Sequence, residues 1–382
     1  MRFLTAGESH GPGLVTIVEG LPAGLSFSIS ELEEELTRRR LGHGRGRRMK
    51  IERDVLEVLG GVRFGKTLGS PVAVVIRNTE WPRWQEEMAI EEGTARRRLT
   101  KPRPGHADLA GMMKYDTHDA RNILERSSAR ETAARTVAGY LAKLLLRELR
   151  IEILSHVVEI GDVAAEPDRL PGPKDRDLVD ASPVRCIDEQ AAGQMIEAID
   201  RAHADRDTLG GVVEVLAYDV LPGLGSHVHW DRKLDARLAE AVMSIHAMKA
   251  VEIGDGFTSA RSLGSDAHDE IFHGSEGFIR RTTRAGGTEG GISIGGLLRV
   301  RAAMKPISTL MRPLQTVDVD TKEPEKAFRE RSDVCAVPAA GIVAEQMVAI
   351  VLAQEAQRKF GGDTVADLRI AAEAYRNRLD EF

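Results

Sequence analysis

Between Arg103 and Thr132 the chain reads RPGHADLAGMMKYDTHDARNILERSSARET, and the end of this stretch demands the longest early element of the fold. Ser128, followed three residues later by Glu131, has the spacing of a capping box. It leads into a helix expected from Glu131 to Leu149, with Ala133, Val137, Leu141, Leu144 and Leu145 on one apolar face. A helix start there points backbone N–H groups outward beside Arg126 and Arg130, a seat for a phosphate. The same spacing also opens helices in proteins of every kind, so on its own it says only where a helix begins.

Around that helix the order of signals mixes strand and helix without a strict βαβ rhythm. Apolar, β-branched runs predict strands from Leu14 to Glu19, Val55 to Leu59, Val72 to Ile76, Ile151 to Ile160, Gly211 to Val220, Leu297 to Ala303 and Leu314 to Val319. Ser30 with Glu33 three residues on predicts a helix that carries Leu32 and Leu36 on one face and ends near Gly42. Further helices are expected from Ile187 to His203, from Asp231 to Lys249, over about twenty residues from Pro338, and from Val365 to Leu379. Pro82 makes Thr79 to Trp84 a loop, and three prolines make Pro167 to Asp177 a surface loop. No internal repeat and no low-complexity tract is visible.

At 382 residues the chain allows two domains or one large α/β unit, and no stretch has the composition of a linker. The net charge of −6 gives no reason to expect a general nucleic-acid binder, so any anion site must be local. Cys186 and Cys335 make no disulfide framework and no metal-ligand spacing; they fit a reducing cytoplasm. The amino-terminal MRFLTAGESHG has no apolar signal region. The apolar stretch Ile342 to Ala353 is interrupted by Glu345 and Gln346, so no membrane span is expected.

Five stretches carry groups suited to chemistry. Gly7-Glu8-Ser9-His10-Gly11 sets a histidine among small residues, where a ligand can approach the backbone and a proton donor works near neutral pH. Arg38 to Lys50 holds six arginines and three glycines, and the planar guanidinium matches phosphate or carboxylate; RNA or an acidic partner is an equal reading of the residues alone. His106-x-Asp108 and His118-Asp119 raise a metal site, but zinc-type ligand spacing is absent. The Gly-rich loop Ala285 to Gly296 and Lys305-Pro306-Ile307-Ser308-Thr309 suit a phosphate-bearing cofactor. Arg331-x-Asp333, ahead of a Pro-started helix, places a carboxylate where the helix dipole favours its ionised form.

Taken together, and in this order, GESHG, RRRLGHGRGRR, RPGHAD, ERSSARET, AGGTEGG, MKPIST and RSDVCAVPAAG resemble the signatures of the chorismate synthase family over essentially the whole chain. The resemblance implies an α+β fold, a β-α-β sandwich forming a single large domain over residues 1–382, usually assembled as a homotetramer in the cytoplasm. It implies conversion of 5-enolpyruvylshikimate 3-phosphate to chorismate and phosphate by 1,4-anti elimination, the last step of the shikimate pathway, with reduced FMN required. It further implies catalytic roles for His10, His106 and Asp333, and substrate contacts from Arg39, Arg45, Arg48 and Ser9. FMN contacts are implied for Arg126, Ser127, Ser128, His246, Ala247, Gly290, Lys305, Pro306, Ile307, Ser308, Thr309 and Arg331.

Two departures stand out. His246 occupies a position where the family more often has an amide, and Arg40-Leu41-Gly42 stands where many members have Pro-Gly. No segment resembles a flavin reductase, so FMN reduced by an external reductase is expected. Neither nucleic acid nor membrane is an expected partner. The competing readings are a metal-dependent phosphohydrolase, which would be chelator-sensitive and flavin-independent, and an RNA-binding protein, whose binding would be salt-sensitive.

Overall fold

A computed structural model of the chain describes residues 1–46, 55–166, 169–274, 277–330 and 332–382. Two antiparallel sheets enclose a layer of helices. The first sheet runs in the order Arg2–Ala6, Gly13–Glu19, Val72–Arg77, Val55–Gly60. Leu14, Thr16 and Val18 alternate inward with Val72, Val74 and Ile76, as a two-residue period requires. This face lies on the helix Thr132–Glu148, where Thr16 Oγ1 donates to the Ala134 carbonyl at 2.9 Å.

The second sheet runs Met248–Ile253, Gly296–Met304, Gly211–Val220, Glu152–Ile160, Val163–Ala164. It packs on the helix Val337–Phe360. That helix is long and apolar enough to cross a membrane by composition, but 94% of its apolar window is buried inside the protein. A helix apolar on all sides needs surroundings on all sides, and here the sheet and the helices supply them. Thr132–Glu148 and Val337–Phe360 cross closely at Gly139, where a Cβ would come within 2.3 Å of the Gln346 Cβ; only glycine fits.

Glu345 and Gln346 do not interrupt this core helix; they give it a polar centre. Glu345 receives Arg38 Nη1 at 2.8 Å, Lys143 Nζ at 2.5 Å and Ser155 Oγ at 2.9 Å. Gln346 Nε2 donates to Glu35 at 2.6 Å, and Glu35 also receives Arg38 and Lys143. Burial pushes both carboxyls up, but Lys143 and Arg38 outweigh it, holding Glu35 at about 2 and Glu345 well below its ordinary value. Burial pulls the Lys143 ammonium down, so the guanidinium of Arg38 is the durable counter-charge.

Several expected boundaries move. The first helix is Ile29–Arg40, capped by Ser28 accepting from Glu31 N, two residues before the expected cap. The Ser128–Glu131 capping box does not form. Ser128 caps a short 3-10 turn by accepting from Arg130 N, and the α-helix begins at Thr132. Glu131 turns instead to Thr5 Oγ1 at 3.0 Å and Arg135 Nε at 2.8 Å, because an arginine and a strand hydroxyl lie within its reach. The helix expected up to Lys249 is Leu234–Met243. Beyond it Ala247 takes φ +66°, and Met248–Ile253 becomes a strand against Gly296–Met304. Its partner is distant in sequence, and packing overrides local propensity there.

Candidate active site

The loop after the first strand is shaped by Gly7, at φ +101°, where a Cβ would lie 2.2 Å from the Gly13 carbonyl oxygen. Asn78 closes the loop by donating to the Ser9 and Gly11 carbonyls at 3.2 and 3.0 Å. Buried in it, His10 places Nδ1 2.8 Å from Glu125 Oε1, and its ring packs on Trp84 with centroids 3.9 Å apart. Ser9, also buried, accepts from the Ser128 hydroxyl at 3.2 Å.

A second histidine is held in the same manner. His106 Nδ1 bonds to the fully buried Asp108, which also receives Arg103 Nε at 2.8 Å. Burial alone would raise the Asp108 carboxyl; the hydrogen bonds from His106 and Arg103 hold it at about 2. Arg103 reaches Thr309 Oγ1 at 2.8 Å, and Lys305 donates to the Gly105 carbonyl, so the Lys305–Thr309 strip lies against the His106 loop. The Ile307 carbonyl accepts from Thr208 Oγ1 at 2.8 Å.

Facing this strip, Lys305 N donates to the Ala247 carbonyl at 3.0 Å. The left-handed backbone of Ala247 is uncommon outside glycine, a local strain of a kind that recurs at ligand sites. His246 has a buried Nδ1 with no hydrogen-bond partner among the described residues. Burial lowers its pKa, opposed by Glu131 and assisted by Arg135, His106 and Arg126. Arg126 donates to the Thr5 and Gly7 carbonyls at 2.9 and 3.2 Å, and Ser127 Oγ donates back to Ile123 O at 2.8 Å.

The arginine helix approaches from the helical layer. Arg39, buried, places Nη1 3.4 Å from Thr132 Oγ1. Past the helix, Arg45 Nη1 lies 2.6 Å from Asp333 Oδ2, and Gly46 N donates to Asp333 Oδ1 at 2.6 Å. Glu125, Ser128 and Thr132, along one segment, therefore touch His10, Ser9 and Arg39 in turn. Gly290 sits in the hairpin Thr288–Glu289/Ile292–Ser293, with open space where a Cβ would be; no hydrogen bond among the described residues ties it to the rest. Arg48 and Arg331 lie outside the described residues.

The two histidine–aspartate pairs raised from sequence fare differently: His106 meets Asp108, whereas His118 and Asp119 turn to other partners. His118 pairs with Asp320 at 2.6 Å on the surface, while Asp119 accepts from Leu99 N and Arg121 N. Among the described residues no group of three or more His, Cys, Asp or Glu is placed to hold a metal. Sequence reasoning passed over Glu125, Arg103 and Trp84 as members of the site, and raised Asp108 only as half of a metal-type pair with His106. The Arg121–Glu125 spacing of four and the Arg103-x-x-His106-x-Asp108 run were signals for three of them; Trp84 had none, since only folding brings it to His10.

With this geometry in view, the comparisons with known proteins agree. The family model for chorismate synthase matches residues 1–356. Chorismate synthases of Acidothermus cellulolyticus and Salinispora tropica are each 60% identical over 388 aligned positions, covering 99% of this chain and 99% of each relative. A crystal structure of chorismate synthase superposes with a TM-score of 0.81 at 41% identity, covering all of this chain and 98% of the other. The mixed α+β sandwich, the buried His10–Glu125 and His106–Asp108 pairs and the full-length relatives lead to one assignment: the chain belongs to the chorismate synthase family, lyases of aromatic amino acid biosynthesis.

Proposed function

We propose that this chain converts 5-enolpyruvylshikimate 3-phosphate to chorismate and phosphate by 1,4-anti elimination, with reduced FMN as its cofactor. The observation that carries the reading is the segment Glu125–Thr132, which gathers His10, Ser9 and Arg39 while Asp333 meets Arg45. A substrate with one phosphate and two carboxylates calls for buried guanidinium groups, and Arg39 and Arg45 provide them, joined by Arg48 on motif grounds. His10 donates a proton from Nε2 to the leaving phosphate. Asp333, held between Arg45 and the Gly46 N–H, serves the side from which the substrate proton is removed.

The residues present suit a flavin. The orphaned His246 Nδ1 offers a hydrogen bond, and Gly290 presents open space where a side chain would stand. Lys305 to Thr309, Ala247, Arg126, Ser127, Ser128 and Arg331 complete the cofactor set, with His106 on the flavin side. When bound, reduced FMN supplies electron density that no side chain can.

Anaerobic incubation with the enolpyruvyl substrate and reduced FMN is expected to give chorismate absorbance and equimolar phosphate, unaffected by a chelator. No product in the presence of reduced FMN overturns the reading. Phosphate release without flavin, abolished by the chelator, would favour the phosphohydrolase.

A homo-oligomer, tetrameric in line with the resemblance, is supported by the outer face of the first sheet. It exposes Leu4, Ile17, Val55 and Leu59, with Leu4 directly opposite Ile17, and is flanked by the Arg2–Glu19 and Arg77–Glu57 ion pairs. Apolar surface of this kind marks contact faces. The double variant Leu4→Lys/Ile17→Lys is expected to give a smaller species by light scattering with unchanged circular dichroism. An unchanged mass would remove this face from the assembly.

A further inference from the structure

His10 is gripped by a carboxylate that spends both oxygens on it. Glu125 Oε1 lies 2.8 Å from His10 Nδ1, and Oε2 accepts the His10 backbone N–H at 2.7 Å. The backbone group is always a donor, and an ionised carboxylate is acceptor only, so the ring nitrogen facing Oε1 carries a proton. An amide or a protonated acid offers one acceptor where this geometry uses two.

The surroundings maintain the carboxylate. Arg121 Nη1 donates to Oε1 at 3.1 Å from one helical turn away. Burial pushes the Glu125 carboxyl up, yet the hydrogen bonds from His10 and the charge of Arg121 leave it below its ordinary value. Trp84 covers the His10 ring at 34° between planes, and the Arg121 guanidinium lies 4.9 Å over the same indole. The charged groups packed on this side include Glu125 and Arg121 from their helix, and Glu87, 3.9 Å from Arg121, from the Trp84 segment. Ser9 and Asn78, from the flanking loops, are neutral.

We propose that Glu125 is the positioning residue of His10: it keeps the proton on Nδ1, makes Nε2 the nitrogen that exchanges a proton with the substrate, and balances the imidazolium charge, while Trp84 blocks one ring face. This rests on the reading of His10 as proton donor. It assigns to Glu125 a role separable from packing, because a glutamine of the same shape fills the same space, loses the charge and turns an NH2 toward one of two donors.

The test compares Glu125→Gln and Glu125→Asp with the unaltered full-length enzyme, using the enolpyruvyl substrate and reduced FMN. Glu125→Gln is expected to lower kcat by about tenfold to a hundredfold, a fraction of what the proton donor itself contributes. The substrate KM changes less than about threefold, and the alkaline limb of the kcat–pH profile moves down by about one unit. Glu125→Asp, which restores a carboxylate, recovers most of the limb position. Solid-state NMR of the 15N-histidine-labelled, unmutated protein, with the His10 signals identified by their loss in His10→Ala, reads the tautomer directly even if Glu125→Gln fails to fold. A neutral ring protonated on Nε2 overturns the proposal, as does a Glu125→Gln enzyme with kcat within twofold and an unmoved profile. If His10→Ala retains full turnover, the proton-donor reading itself fails; if it loses turnover while Glu125→Gln does not, only the role of Glu125 fails.

Discussion

Asp333→Asn is expected to lose about 10²–10⁴ in kcat while FMN affinity stays within a few-fold, as a group acting in proton transfer requires. The expectation follows from what the two carboxylate oxygens do. Oδ1 accepts the Gly46 N–H and Oδ2 receives Arg45, each at 2.6 Å. Asparagine keeps one acceptor, so the loop hydrogen bond can survive, but it presents an NH2 to a guanidinium and has no basic oxygen to take up a proton. The loss should fall on turnover more than on binding, and stopped-flow turnover beside a flavin fluorescence titration separates the two. Turnover within about twofold of the unaltered enzyme would take Asp333 out of the chemistry. A collapse of flavin binding would make it a structural strut of the arginine loop.

Removing the charge of Glu345 should cost about 3–5 kcal/mol of stability, against the roughly 5–15 kcal/mol a domain usually has. Glu345 has no solvent exposure and is shared by Arg38 and Lys143. In Glu345→Gln these cations keep only Glu35 as a close carboxylate beside Asp180, which pairs with Arg38 at 2.7 Å. The sign of the pH effect follows from the directions of the shifts. Both glutamates are depressed below the ordinary value of 4.5, Glu35 to about 2, so their contribution is complete above about pH 4.5 and is lost as pH falls toward 2. Urea midpoints should therefore drop steeply over that window in the unaltered protein and less steeply in Glu345→Gln. A Glu345→Gln midpoint equivalent to less than about 0.5 kcal/mol at pH 7 would show that the cluster contributes no net stability.

Local pattern carried much of the architecture. Strands such as Gly211–Val220 and Val72–Arg77 emerged within a residue or so of their expected ends, because short apolar runs rich in β-branched residues advertise themselves as strands. The Pro-started helix Val337–Phe360 was visible in the same way. What local pattern misplaced were choices settled by distant partners. Met248–Ile253 became a strand because Gly296–Met304 offered it an edge, and Glu131 left its expected cap for Thr5 and Arg135. The short edge strand Arg2–Ala6 carried too little pattern to be seen before its pairing with Gly13–Glu19 was known.

By itself, then, the sequence determined the kinds of groups available: two histidines in Gly- or Ala-flanked runs, an arginine-rich segment, a Gly-rich loop, a lysine strip and a carboxylate before a helix, in an order specific to one family. Tertiary structure alone decided which of them meet. It set Glu125 on His10, separated His118 from Asp119, paired Arg45 with Asp333 from far along the chain, and turned Glu345 from an apparent interruption into the centre of a buried charge cluster. The physical reason is that helix and strand signals are local free energies read over a few residues. A charge–charge or histidine–carboxylate contact depends on distance in space and on exclusion of water, and both exist only once the two sheets have closed over the helices.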